Sequence, residues 1–165
     1  MNLAIDVQYK ESYAKAVGVL FDWYDESPRE IITTIVKEVA EYQSGQFYKR
    51  ELPCILELLK EIDIQNLECI IVDGHVYIDN DKNFGLGGYL YESLGKELPI
   101  IGVAKKSFFN TDKVSFPVYR GVSENPLFVS SIGIDVEIAI DNIKNMHGEY
   151  RIPSLLKKLD GLTKS

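Results

Sequence analysis

The stretch Cys69–Ile78, CIIVDGHVYI, decides how the rest of the chain is read. Ile70, Ile71 and Val72 form an unbroken apolar, β-branched run, the pattern of a strand buried on both faces. Asp73 ends the run and Gly74 follows at once. A carboxylate at the end of a buried strand is costly to desolvate unless something cationic compensates it. A both-sides-buried strand also needs helices above and below it, so the flanking sequence should alternate between strands and helices.

It does. Upstream, LAIDVQY, AKAVGVLFDWY and EIITTIVKEV have strand character, and DESPRE, with Pro28, is the turn before the third. Short links between them predict an antiparallel meander. In QFYKRELPCILELLKEI the period changes, and Phe47, Leu52, Ile55, Leu56, Leu58 and Leu59 fall mostly on one helical face, with Pro53 in the first turns or at a kink. Downstream, FGLGGYLYESLG reads as a small-residue helix and LPIIGVAK as another buried strand. FPVYRG and PLFVSSIG read as shorter strands, DVEIAIDNIKNM as an amphipathic helix, and IPSLLKKLD as a final short helix with Pro153 near its start. The expected fold is α/β: a mixed sheet with antiparallel N-terminal strands and helices on its faces.

Composition bounds the rest. The chain has 165 residues, 45% of them hydrophobic and 26% charged, as expected of one soluble globular domain spanning residues 1–165. No apolar run is long enough to cross a bilayer, and MNLAIDVQYK lacks the basic start and apolar stretch of a signal peptide. Cys54 and Cys69 lie in apolar contexts without metal-ligand spacing, which reads as reduced core thiols of a cytoplasmic protein. A net charge of -7 argues against a protein that coats nucleic acid through a broad basic face, but not against a nuclease with a local basic rim.

Asp6 interrupts the first strand as Asp73 ends the later one. Two carboxylates on neighbouring central strands repel, and a divalent cation removes the problem; hard oxygens suit Mg²⁺ or Mn²⁺. The competing reading makes Asp6 a turn cap and Asp73–Gly74 a turn signal.

YQSGQFYKRE (Tyr42–Glu51), IIVDGH (Ile70–His75), LPIIGVAKK (Leu98–Lys106), NPLFVS (Asn125–Ser130) and YRIP (Tyr150–Pro153) occur in this order. Together they make the chain resemble the endonuclease V family, nucleases that act on deoxyinosine-containing DNA and, in some members, inosine-containing RNA. The resemblance covers nearly the whole chain and implies a ribonuclease-H-like fold. It implies hydrolysis of a phosphodiester 3′ to the inosine, with Mg²⁺ (or Mn²⁺) as cofactor and inosine-containing DNA or RNA as partner. Asp6 and Asp73 match the family aspartates that would hold the metal. Glu51 matches the glutamate closing the YIPGFLxFRE segment, and Lys105 the lysine near the scissile phosphate. Asp160 matches a position that is His or Asp in the family and would serve the metal or its water. Tyr42 matches the wedge tyrosine, and Gly45, Gly74, His75 and Gly102 match positions that form the base pocket. Taken alone, Glu51 also reads as a surface helix residue paired with Lys49 or Arg50, Asp160 as part of a solvated helix face, and His75 as a turn histidine.

The departures fall mostly on positions that would touch nucleic acid. The wedge PYIPG reads EYQSG, HPRRLG reads DNDKNFG (Asp79–Gly85), and PEPTR reads PSLLK. The chain is a divergent, shortened relative by this reading. Two function classes follow: a metal-dependent endonuclease, or a non-catalytic descendant that keeps the fold as a nucleic-acid-binding or assembly module.

Overall fold

The computed structural model describes residues 1–37 and 48–165. Seven strands form one sheet: β1 (Asn2–Tyr9), β2 (Ala14–Phe21), β3 (Glu30–Val36), β4 (Cys69–Asp73), β5 (Ile100–Ala104), β6 (Phe116–Val118) and β7 (Leu127–Ile132). Their order is β3-β2-β1-β4-β5-β7-β6. The β1–β2 and β2–β3 pairs are antiparallel, as the short links require. The β1–β4 and β4–β5 pairs are parallel, and β7 returns antiparallel to both β5 and β6.

Four helices cover the faces: α1 (Tyr48–Leu59), α2 (Leu86–Ser93), α3 (Val136–Asn145) and α4 (Ser154–Lys164). The sheet divides the core into two layers. Leu3, Ile5, Ile70, Val72 and Ile100 pack with Cys54, Ile55, Leu58 and Leu90 from α1 and α2. Ala4, Ile71, Ile101, Val103 and Val129 pack with Ala139, Ile143, Leu155 and Leu159 from α3 and α4. The continuous apolar run at residues 70–72 is therefore explained: its side chains alternate between two buried layers. This is the mixed, ribonuclease-H-like sheet that the sequence predicts.

α4 runs further than its sequence pattern implies. The helix continues through Gly161, a poor helix former, because Leu155, Leu159 and Thr163 recur at a four-residue spacing and are all buried. Among the described residues no helix is long and apolar enough to cross a membrane.

Candidate active site

Side-chain alternation aims the polar groups. In β1, Ala4 faces the α3/α4 layer while Ile5 faces α1 and α2; Asp6 therefore returns to the Ala4 side. In β4, Ile71 faces α3 and α4, and Asp73 follows two residues on. In β5, Val103 does so, and Lys105 stands just past the strand end. Ile5 pairs with Val72, which places Asp6 and Asp73 on the next rung of two adjacent parallel strands. Asp73 pairs with Val103 on the third strand.

α4 closes over this edge. The Thr163 hydroxyl donates to Asp6 Oδ2 at 3.0 Å, and the Val7 N–H donates to Asp6 Oδ1 at 3.0 Å. Asp6, Asp73, Lys105 and Asp160 together line one pocket of about 130 Å³, with Leu127, Leu156 and Leu159 among its apolar walls. Asp160 also pairs with Lys164 at 3.0 Å. The turn-cap reading of Asp6 fails, since the residue lies inside an eight-residue strand.

Glu51 arrives from the other face, on α1, and is not part of the pocket lining. It is only 4% exposed, which rules out the surface-helix reading. The Tyr9 hydroxyl donates to Glu51 Oε2 at 3.2 Å. The Arg50 guanidinium lies 3.6 Å from the centre of the Tyr9 ring. Tyr9 escapes the sequence reading, although it extends the Leu3, Ile5, Val7 series as a ring with a polar tip.

The electrostatics are those of acids crowded together. Burial, then the charge of Asp73, pushes Asp6 up to about 6, with the Thr163 bond pulling the other way. Burial, then the charge of Asp6, pushes Glu51 up to about 8, with the Tyr9 bond opposing. Asp73 is an exposed residue overall, yet the protein packed around its carboxyl raises it; nearby Lys105 opposes the rise. Among the described residues no three or more His, Cys, Asp or Glu side chains gather tightly enough to hold a metal ion.

Three of the residues matched to base recognition, Gly74, His75 and Gly102, lie next in sequence or strand to the pocket residues Asp73 and Val103. The Gly74 N–H donates to the Val103 carbonyl at 3.1 Å. His75 is buried, with Nε2 2.8 Å from the Lys106 carbonyl and its ring 4.2 Å from that of Phe108; among the described residues Nδ1 has no partner. Burial lowers its pKa, so Nε2 is read as the protonated nitrogen, donating to that carbonyl. Gly102 has a packing reason of its own: a Cβ there would lie 2.6 Å from the Gly74 carbonyl oxygen and 2.7 Å from Ser130 Oγ. The DGH turn thus rests directly on β5. Tyr42 and Gly45 lie outside the described residues. The acidic loop at Asp79 is tied internally, Asp79 Oδ1 accepting from the N–H groups of Asp81 at 3.0 Å and Asn83 at 3.2 Å.

Two carboxylates and a lysine from three adjacent strands thus lie beneath a helix that adds a fourth charged group, on a mixed α/β sheet. The chain belongs to the Endonuclease V family, a family of nucleases; its model matches residues 2–160. It is 24% identical to an Endonuclease V of Thermus thermophilus over 178 aligned positions, covering 93% of this chain and 76% of the relative. The fold matches Endonuclease V of Streptomyces avermitilis, with a TM-score of 0.78 at 24% identity over 98% of this chain and 78% of the other. It also matches Ciona intestinalis Endonuclease V bound to a 24-mer DNA containing an inosine followed by a ribo-adenosine. There the TM-score is 0.78 at 20% identity, over 99% of this chain and 84% of the other.

Proposed function

We propose that this chain, acting as a single domain, is a Mg²⁺-dependent endonuclease that hydrolyses a phosphodiester 3′ to inosine in DNA or RNA, with Mn²⁺ as a substitute metal and the cytoplasm as its place of action. The observation that carries the reading is the rung formed by Asp6 and Asp73, with Lys105 and Asp160 in the same pocket. The donor set fits a hard cation. Asp6 and Asp73 are oxygen ligands whose charges raise one another's cost, opposed by Thr163 and Val7 at Asp6 and by Lys105, His75 and Lys164 at Asp73. Mg²⁺ characteristically takes one or two carboxylates and leaves its other positions to water and phosphate, so the lack of a third tightly placed acid among the described residues is compatible with it. Asp6 and Asp73 would hold the ion, and Asp160 would meet it through water.

When bound, the cation supplies Lewis-acid stabilisation of charge on the phosphate oxygens. The chain's own groups do the rest. Lys105 presents positive charge where the phosphoryl group gains negative charge, worth most inside a preorganised pocket. Glu51, held by Tyr9 and near enough for the charge of Asp6 to raise it, orients the attacking water and accepts its proton when ionised, a form the metal-free fold reaches toward pH 8. That water bonds to phosphorus as one bridging P–O bond breaks, and the leaving oxygen takes up a proton from solvent. The DGH turn with buried His75, together with Gly45 and Gly102, forms the base site, and Tyr42 supplies the wedge.

Cleavage of an end-labelled inosine strand, beside a matched adenosine strand, with Mg²⁺ or with chelator, tests this. One cut near inosine that needs the metal is expected; no cut under any metal condition rejects it. The net charge of -7 and the acidic loop at Asp79 favour a second reading, the non-catalytic descendant, which predicts that the strand is bound but not cut.

A further inference from the structure

We propose that the outer face of α4 binds the single-stranded flank of the substrate, with Lys157 and Lys158 on its phosphates and Tyr150 stacked on one of its bases. The proposal rests on the nuclease reading for what fills the pocket, and adds the route by which the strand leaves it. A second groove is lined by Tyr150, Ser154, Lys157, Lys158 and Gly161, with the C-terminal Ser165 at its margin and Ile152 and Leu162 as apolar wall. Lys157 and Ile152 line both this groove and the acidic pocket, so the two depressions share a wall. A chain held at Asp6 and Asp73 therefore reaches the groove past Ile152 and Lys157.

The groove's chemistry fits a polyanion with exposed bases. Among the described residues Lys157 and Lys158 enter no ion pair, whereas Lys164 is committed to Asp160. Tyr150 is 77% exposed, yet its loop is built rather than loose. The Arg120 guanidinium, in a residue only 3% exposed, donates to the carbonyls of Met146 at 2.6 Å, Gly148 at 3.1 Å and Tyr150. Gly121, at φ +57°, packs where any Cβ would collide with the Glu149 carbonyl. These bonds fix the backbone that carries Tyr150, so its exposed ring is presented from a defined position, which suits stacking on an unpaired base. A duplex turns its bases inward, so a single strand is the form that can offer one to Tyr150.

The test is binding of fluorescein-labelled inosine single strands in EDTA. One strand is long and one is trimmed close to the inosine; the proteins are wild type, the double variant K157Q/K158Q, and Tyr150→Ala. Loss of two phosphate contacts should weaken the long strand about tenfold and reduce the slope of log affinity against log salt by about 1.4. The loss should be smaller for the trimmed strand. Tyr150→Ala should weaken the long strand about fivefold or more with the salt slope unchanged. Melting curves matching wild type exclude misfolding as the cause. Wild-type affinity and slope in both variants would overturn the groove, as would equal losses on long and trimmed strands. If wild type binds and the variants fall as expected but Mg²⁺ never brings cleavage, the nuclease reading fails while the groove stands. If wild type binds neither strand, both fail.

Discussion

Asp73 is the residue on which the chemistry turns. Its carboxylate is raised by the protein around it and steadied by Lys105. Asp73→Asn keeps the shape but removes the charge, so cleavage should fall by more than about 100-fold while binding of an inosine strand in EDTA persists or tightens. Gel-shift and cleavage assays on the same strands separate the two. Glu51→Gln should also cut the rate, but for a different reason, since it leaves Asp6 and Asp73 in place. Tyr9→Phe probes the same acid more gently: a loss of about tenfold in kcat with KM unchanged is expected if the Tyr9 hydroxyl positions Glu51. Unchanged kinetics would reduce Tyr9 to packing. At this scale the acids are legible because a lone carboxylate in an apolar strand is conspicuous. Tyr9, Thr163 and Arg151 are not, because their roles come from partners distant in sequence: Glu51, Asp6 and the Lys105 carbonyl, the last reached by Arg151 Nη2 at 2.6 Å.

Individual elements are readable where local pattern and tertiary packing agree. β1, β4 and β5 are marked by their apolar runs, and α1 and α3 by their helical periods. α4 reads too short because Gly161 looks like a stop, and the packing that overrides it lies across the sheet. The adjacency of β1 and β4 is inferable only from the chemistry of their two aspartates, since residues 10–68 lie between the two strands. The contact between the DGH turn and β5 gives a prediction for this scale. Gly102→Ala pushes a methyl against the Gly74 carbonyl and Ser130. It should destabilise the protein by about 1–3 kcal/mol in denaturant unfolding and move the turn, lowering discrimination between inosine and adenosine strands. Wild-type stability in this variant would mean that β5 and the turn separate at little cost.

For the molecule as a whole, the acidic cluster makes stability depend on pH. Asp6 titrates at about 6 in the fold against an ordinary 3.8, and Glu51 at about 8 against 4.5. Both bind protons more tightly when folded than when unfolded. Their penalty on the metal-free fold is therefore absent below the unfolded values, grows as pH rises, and is complete once pH passes about 8. The melting temperature in chelator should fall between about pH 5 and 8.5, and millimolar Mg²⁺, bound only by the folded state, should flatten that fall. A melting temperature that rises with pH over this range, or ignores Mg²⁺, would contradict the crowded-acid account. The most direct measurement is calorimetric titration of Mn²⁺ into wild type, Asp6→Asn and Asp73→Asn at neutral pH. The account predicts a site in wild type that weakens at least about tenfold in each variant; equal binding by all three proteins, or none by wild type, would contradict it.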